Sequence, residues 1–480
     1  MRIAMTCLLL LTGISASSAT FTASSPSWLD VSNALALCSS SGGDIVSVPS
    51  GSALWTNVLQ IGKGVQIVGA GTNSTHITNG VRIASPWGSG TVRPPLFWIT
   101  HTNQNALTRL SRLHLVCNQY VGVSGWTNAG AWTNNLGVVY CDPANRNTNA
   151  WISQFVFDQN WVQYAYSRTI YTDGDVHGVV ASNLFQDCFL IIEPTARHDV
   201  GWFRSWNTEP LLALGTTNVI VCEDNTVIHT EVGAAWDGVG GAGGWGPTFG
   251  TASGQGGSYV WRFNLVTNTA NTRLEGHDWH GNNYPPTTYP GGWRGTRFVE
   301  VYGNRYYSPT GGRGSRFCWA RGGASMVYSN TVTVVGTANS SFDDFEYGEE
   351  EYYRSYAYEY PDLGNVRTNP PAFDQITNSY WFSNYRSEGT AFSLVINPAA
   401  SSNGVVMGTD FWTNAPWSTN LYSFTNRSGS VNVMAAYRPL AYPHPLLSAL
   451  SGGVGTPSTP GVSALNAAAA NVGTVVYVGP

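Results

Sequence analysis

The feature that most constrains this chain is a short apolar phrase that ends in asparagine and recurs along the sequence. One copy reads Val180-Ala-Ser-Asn183-Leu-Phe, and residues 381–384 carry it a last time. Asparagine tolerates the left-handed region of φ/ψ space, so we expect it to occupy a bend between two strands. The seven copies before residues 381–384, spaced by 42, 23, 42, 39, 40 and 26 residues, contain Asn118, Asn160, Asn183, Asn225, Asn264, Asn304 and Asn330.

Repetition of this kind predicts an all-β fold, a right-handed parallel β-helix in which one chain winds coil upon coil. Stacked about 4.8 Å apart, the asparagine amides could hydrogen-bond to one another along the stack. Spacings of 23 and 26 match one bare coil. Spacings of 39–42 indicate either a coil with a long insertion or two coils with one unmarked bend. Insertions in repeat folds collect on one face, which is often the binding face.

The N-terminal residues 1–19 have the pattern of a secretory signal peptide. Arg2 precedes an apolar run from Ile3 to Ile14, and small residues follow up to Ala19, after which we expect cleavage. No later apolar run reaches the length of a membrane-spanning helix, so we expect a secreted protein without membrane insertion.

Composition narrows the partners that the chain could bind. Charged residues make up 11%, the net charge is −5, and Lys63 is the single lysine, which argues against a nucleic-acid partner. Six cysteines remain beyond the leader, and they could form disulfides or stay as buried thiols. No nucleotide-binding or zinc motif is present, so no cofactor is expected, with calcium as the one open alternative. The sequence leaves the oligomeric state open.

Ser27 begins a short amphipathic helix, and three strand-like pieces follow it up to Ile77. This helix would cover the open edge of the first coil as an N-terminal cap. The stretches "GDIVSVPSGSALWT" and "VQIVGAGTNSTHI" resemble the opening coil of the pectin-lyase-like superfamily. Later stretches such as "LEGHDWHG" and "YRPLAYPHPL" are similar to secreted β-helix proteins that largely lack an assigned activity. The resemblance implies one β-helix domain over residues 20–446, followed by a Gly/Ser/Ala/Pro-rich tail over 447–480.

Residues 337–378 interrupt the repeated phrase with acidic residues, tyrosines and prolines, and we expect a long loop there. A calcium site within residues 343–351 is one hypothesis for this acidic run.

The candidate site is predicted between Asn264 and Asn304, where titratable and aromatic residues collect. Aromatic rings stack on sugar faces and charged groups orient hydroxyls and carboxylates, so this composition fits a secreted polysaccharide-binding protein. We predict catalytic roles for His277, His280, Arg297 and Arg321, and substrate-binding roles for Arg273, Trp279, Trp293, Arg294, Trp202 and Trp236.

Three functions compete for these residues. A polysaccharide lyase acting on a uronate-containing glycan would use a histidine base and an arginine to neutralise the carboxylate. A glycoside hydrolase would use two carboxylates, for which Asp173 and Asp175 resemble a polygalacturonase motif whose other parts are absent here. For that stretch a strand followed by an Asp-Gly corner is the favoured interpretation. The third function is non-catalytic: an adhesin, a surface component or a phage-like fibre component.

Overall fold

The computed structural model describes residues 18–450 with gaps. The longer gaps are 82–93, 118–136, 143–151, 196–213, 230–247, 269–274, 281–295, 309–315, 335–342, 348–375, 397–410 and 414–436, and gaps of one to four residues occur elsewhere. Among the described residues, no helix is long and apolar enough to cross a membrane.

The fold is the right-handed parallel β-helix that the repeated phrase and the family resemblance predict. Strands are numbered β1 to β32 in chain order, and they build three parallel sheets that each coil visits in turn. Sheet 1 contains β1 (Thr20–Thr22), β2 (Ile45–Val48), β5 (Gln66–Gly69), β8 (Thr108–Ser111), β11 (Ile152–Asp158), β14 (Val176–Ala181), β17 (Ile220–Glu223), β20 (Ser258–Arg262), β23 (Phe298–Tyr302), β26 (Ala324–Tyr328), β29 (Ser379–Phe382) and β32 (Phe411–Thr413).

Sheets 2 and 3 complete each coil. Sheet 2 contains β3 (Gly51–Trp55), β6 (Thr75–Asn79), β9 (His114–Val116), β12 (Trp161–Gln163), β15 (Leu184–Gln186), β18 (Thr226–His229), β21 (Leu265–Asn268), β24 (Arg305–Ser308), β27 (Thr331–Val334) and β30 (Tyr385–Arg386). Sheet 3 contains β4 (Leu59–Ile61), β7 (Phe97–Ile99), β10 (Val139–Cys141), β13 (Arg168–Asp173), β16 (Leu190–Thr195), β19 (Thr248–Ser253), β22 (Glu275–Trp279), β25 (Arg316–Ala320), β28 (Asp343–Tyr347) and β31 (Leu394–Ile396).

The N-terminal helix α1 (Trp28–Leu37) begins where the sequence predicts it. The side chain of Ser27 accepts a hydrogen bond from the backbone of Asp30, and the helix buries Val31, Ala34 and Leu35. These residues join the core of the first coils, so the helix covers the end of the stack.

From β11 onwards, each described corner between sheet 1 and sheet 2 is a pair of residues, and the asparagine is the second of the pair. The left-handed conformation belongs to the first residue, such as Ser182 with φ 55° or Phe263 with φ 56°, and not to the asparagine as the sequence suggested. Gly303 takes this place once, because a Cβ there would lie 2.6 Å from the ring of Phe263.

The asparagine side chains form a continuous hydrogen-bonded ladder along the stack. Nδ2 of Asn183 donates to the carbonyl of Phe157 at 2.9 Å and to Oδ1 of Asn225 at 2.9 Å, and the backbone N–H of Asn183 donates to the same oxygen at 3.1 Å. The pattern continues to Asn384. Successive asparagines of the ladder follow successive strands of sheet 1. Each spacing of 39–42 residues is therefore one coil with an insertion and not two coils.

One predicted copy of the phrase is out of register. The corner of that coil lies at Arg112 and Leu113, where Arg112 has φ 61°, and not at Asn118. The backbone N–H of Leu113 donates to Oδ1 of Asn160 at 3.0 Å and so ends the ladder. Asn118 itself lies outside the described residues.

From β6 to β32, every long connection begins or ends at a strand of sheet 3. In the coil of Asn183 the extra residues separate sheet 3 from sheet 1, and in the coil of Asn225 they separate sheet 2 from sheet 3. The corner between sheets 1 and 2 stays two residues long in every described coil from β8 onwards.

The interior of the coils is a continuous apolar core. Valine, isoleucine, leucine and phenylalanine line it, together with buried cysteines. The six cysteines in the described residues are buried and form no disulfide with one another, which favours thiols over the disulfides that composition also allowed.

The end of the described chain packs back onto the outer face of sheet 1. We call residues 437–450 the C-terminal strap; it ends in helix α2 (Pro445–Leu450), which crosses the boundary expected at residue 446. Arg262 donates to the carbonyls of Leu440 at 2.5 Å and Ala441 at 3.0 Å, while both its Nε and Nη2 bind Glu223. Leu447 packs on valines of sheet 1.

The acidic segment 337–378 contains a strand, β28, which pairs with β25 and β31. The rest of the segment, apart from Ile376, lies outside the described residues, as do the side chains of residues 343–351 proposed to bind calcium.

Candidate functional site

The outer face of sheet 3 carries a row of aromatic and acidic side chains. Strand pairing aligns Trp98 with Tyr140, Tyr140 with Tyr171, and Tyr171 with Glu193. Further along the stack, Asp278 aligns with Trp319. Long connections begin or end at strands of this sheet, and insertions in repeat folds collect on the binding face, so this face is the candidate binding surface.

Two residues predicted for the site lie in the core instead. His277 and Trp279 are each 0% exposed, because alternate residues of β22 point into the coil. His277 Nδ1 lies 3.2 Å from the hydroxyl of Tyr259, and its Nε2 lies 2.5 Å from the hydroxyl of Tyr306. Burial lowers the pKa of His277 to about 3, so it stays neutral. A catalytic His277 and a sugar-stacking Trp279 are therefore wrong.

The structure brings two other predicted residues together, His280 and Arg321, around a carboxylate that lies between His277 and Trp279. Oδ1 of Asp278 accepts from Nε of Arg321 at 2.9 Å, and Oδ2 accepts from Nη2 at 2.6 Å. Nε2 of His280 lies 3.3 Å from Oδ2 of Asp278 and also contacts Nη2 of Arg321. The Arg321 guanidinium lies over the ring of Trp319, with its Cζ 4.0 Å from the centroid. We call Asp278, His280 and Arg321 the Asp-His-Arg cluster.

Exposure differs sharply within the Asp-His-Arg cluster. The side chains of Asp278 and Arg321 are 4% and 1% exposed, whereas that of His280 is 24% exposed. Burial alone would raise the pKa of Asp278, but the charges of Arg321 and His280 hold it well below its usual range. The carboxylate is therefore ionised at neutral pH, and His280 is the member that solvent or a ligand can reach.

The position of Asp278 explains why the sequence did not single it out. In "LEGHDWHG" nothing shows which of His277 and Asp278 points outward, because a shift of one residue exchanges the two faces of a strand. An outward Asp278 follows only from the pairing of β22 with β19 and β25.

Other predicted site residues lie outside the described residues. They are Arg297 among the catalytic candidates and Arg273, Trp293, Arg294, Trp202 and Trp236 among the substrate-binding ones.

A second polar group lies on the same face of sheet 3. Arg168 binds Glu193 through two hydrogen bonds, and its Cζ lies 4.4 Å from the ring centroid of Tyr171. Tyr140 stacks on Tyr171 with centroids 5.4 Å apart. Strand spacing places Glu193 and Asp278, two strands apart, about 10 Å from each other. The sequence did not identify this group, whose members belong to three separate coils.

The proposed hydrolase motif forms a corner, as favoured from the sequence. Asp173 ends β13 and accepts a hydrogen bond from the Tyr140 hydroxyl at 3.1 Å, and Gly174 follows with φ 142°. Asp173 is 2% exposed, and Asp175 lies outside the described residues. In the described part of the chain, no group of three or more His, Cys, Asp or Glu side chains is placed to hold a metal ion.

Comparison with known proteins gives a distant likeness. No family model matches the chain, and no curated protein matches it significantly. The catalytic domain of a GH87 alpha-1,3-glucanase in complex with tetrasaccharides is 11% identical, covers 83% of this chain and 68% of its own, and has a TM-score of 0.30. The catalytic unit of a thermostable GH87 alpha-1,3-glucanase from Streptomyces thermodiastaticus strain HF3-3 is 12% identical, covers 80% and 68%, and has a TM-score of 0.27. Nothing about the chemistry of this chain follows from similarity at this level.

Proposed function

We propose that the protein is exported, binds an extracellular uronate-containing polysaccharide along the outer face of sheet 3, and cleaves it by β-elimination with His280 as the base. The observation that carries this proposal is the Asp-His-Arg cluster, where a partly exposed histidine lies against an ionised, buried carboxylate.

The Asp278 carboxylate prepares His280 for proton transfer. Nε2 of His280 lies 3.3 Å from Oδ2 of Asp278, so a protonated imidazole can donate from Nε2 to an ionised carboxylate. The negative charge of Asp278 then stabilises the imidazolium that forms, as a carboxylate does in other histidine-based sites. Arg321 keeps Asp278 ionised and holds its orientation through hydrogen bonds from Nε and Nη2.

In the elimination, His280 removes the proton on the carbon next to the uronate carboxylate. The C–H electrons form the new C=C bond, the C–O bond to the leaving sugar breaks, and the leaving oxygen takes up a proton. Arg321 is too deeply buried to neutralise the substrate carboxylate directly. We assign that role to the neighbouring insertion, with Arg294 and Arg297 as the candidates from the sequence.

A glycoside hydrolase is a further alternative. It needs one carboxylic acid that can donate a proton, a role that the lowered pKa of Asp278 disfavours and for which Glu193 is another described carboxylate on this face. Non-catalytic binding by an adhesin remains the second candidate function, since the aromatic and charged rows of sheet 3 suit sugar binding without turnover.

The test is incubation of the purified protein with a panel of uronate-containing polysaccharides while the absorbance of the unsaturated product is followed. The variant His280→Ala should lose about 10²- to 10⁴-fold of the rate, the usual contribution of a general base. The matched control is His76→Ala, a half-buried histidine on the outer face of sheet 2, which should keep the rate.

The variant Asp278→Asn tests the positioning role separately. Loss of the carboxylate removes a charge that favours the imidazolium, so the acidic limb of the rate profile should move to lower pH. Equal rates for the wild-type protein and His280→Ala would refute His280 as the base. New reducing ends without unsaturation would establish a hydrolase, and glycan binding without any product would establish an adhesin.

A further inference from the structure

The sequence allows several cleavage positions at the end of the signal peptide. Signal peptidases require small residues at the last and third-last positions of the leader. Cleavage after Ala19 satisfies this rule with Ser17, cleavage after Ser18 with Ala16, and cleavage after Ser17 with Ser15. Sequence alone therefore leaves a choice among Ser18, Ala19 and Thr20 as the first residue of the mature chain.

The structure argues against cleavage after Ala19, because Ala19 is part of the folded domain. Its carbonyl accepts a hydrogen bond from the backbone N–H of Ile45 at 2.8 Å, directly ahead of the pairing of Thr20 with Ile45 in sheet 1. Its N–H donates to Oδ1 of Asp44 at 2.8 Å. Cleavage after Ala19 would remove both bonds and leave Asp44 without this donor.

We propose that the leader is removed between Ser18 and Ala19, so that the new α-ammonium group of Ala19 pairs with the carboxylate of Asp44. The proposal rests on the export proposed above. Water adds across the Ser18–Ala19 peptide bond, leaving a carboxylate on Ser18 of the leader and an ammonium group on Ala19, whose nitrogen already lies at ion-pair distance from Asp44.

The surroundings of Asp44 suit a bound ammonium group. Asp44 is 6% exposed, and its second oxygen accepts from the backbone N–H of Ser39 at 2.6 Å. The N–H groups of Ser39 and Ala19 hold the pKa of Asp44 below its usual value, with a smaller contribution from the charge of Lys63. The Lys63 ammonium group itself donates to the carbonyl of Cys38 at 2.7 Å. Asp44 is thus an ionised carboxylate whose Oδ1 faces the backbone nitrogen of Ala19.

The first experiment expresses the whole chain in a bacterial host that exports through a signal peptidase. The exported protein is then analysed by N-terminal sequencing and intact mass. The expected sequence begins Ala-Thr-Phe-Thr. Any other mature sequence, such as Thr-Phe-Thr or Ser-Ala-Thr, would overturn the proposal and leave the export and lyase proposals standing. Retention of Met1 inside the cell would overturn both the cleavage and the export, while the lyase assay would still report on catalysis.

The second experiment tests the ion pair itself by a double-variant cycle. Chains beginning at Ala19 and at Thr20 are each prepared with Asp44 and with Asp44→Asn, and their thermal midpoints are compared. The chain that begins at Ala19 should be the more stable with Asp44 in place, and this advantage should shrink in Asp44→Asn. An advantage of the same size in both backgrounds would show that the ammonium group and Asp44 do not interact.

Discussion

The asparagine ladder gives the sharpest quantitative prediction, and Asn264→Ala tests it at its centre. Asn264 is 0% exposed. Its Oδ1 accepts from the backbone N–H of Asn225 at 2.8 Å and from Nδ2 of the same residue at 3.0 Å. Its Nδ2 donates to the carbonyl of Cys222 at 3.0 Å and to Oδ1 of Asn304 at 3.1 Å. Alanine removes all of these bonds.

The loss in free energy of unfolding depends on which groups keep another hydrogen-bond partner. Nδ2 of Asn225 still donates to Val180, and Oδ1 of Asn304 still accepts the backbone N–H at position 264. The backbone N–H of Asn225 loses its side-chain acceptor in a buried corner, which costs about 1–3 kcal/mol. With about 0.5–1.5 kcal/mol for each weakened bond, the free energy of unfolding should fall by about 4 kcal/mol.

Urea unfolding followed by circular dichroism measures this change, and hydrogen exchange at the amide of Asn225 shows where it arises. The matched control is Asn384→Ala at the end of the ladder, where the asparagine is only partly buried and its Nδ2 donates to the carbonyl of Val327. Its loss should cost about half as much. A change below about 1 kcal/mol for Asn264→Ala, or one no larger than for Asn384→Ala, would refute the reasoning.

Three further predictions concern the interior and the strap. Arg262→Met should lower the free energy of unfolding by about 3–5 kcal/mol, because it leaves Glu223 buried without its cation, and limited proteolysis should then cut within residues 437–450. His277 has a pKa of about 3 in the folded protein and about 6.5 when unfolded, so only the unfolded chain gains its proton as pH falls from 6.5 towards 3. His277 alone then costs stability at about 1.4 kcal/mol per pH unit over that window, and His277→Gln should reduce the slope by about this amount in unfolding measured at pH 6 and pH 4. The six buried thiols should not react with a thiol reagent in the native protein, and all six should react in denaturant. Failure of the six to react in denaturant would indicate disulfides.

The sequence predicted the architecture because the ladder requires the same side chain at the same corner of every coil. It did not predict the corner at Arg112 and Leu113. A leucine is possible there because the last hydrogen bond of the ladder is donated by the backbone N–H of Leu113 and not by a side chain. The sequence also assigned the wrong face to His277, since a histidine inside the coil is satisfied by Tyr259 and Tyr306 from other strands. The strap escaped prediction for a similar reason, because Arg262 and its carbonyl partners are separated by 178 and 179 residues.

The strap has a consequence for the order in which the molecule can assemble. The coils could otherwise form one after another, each on the edge of the previous one. Arg262 and Glu223, however, acquire several of their partners only when residues 440–444 arrive, at the very end of the described chain. A chain threaded through a membrane from its N-terminus would therefore emerge with this face of sheet 1 still open. The contacts of Arg262 and Glu223 in the middle of the stack would therefore be completed only after residues 440–444 have emerged.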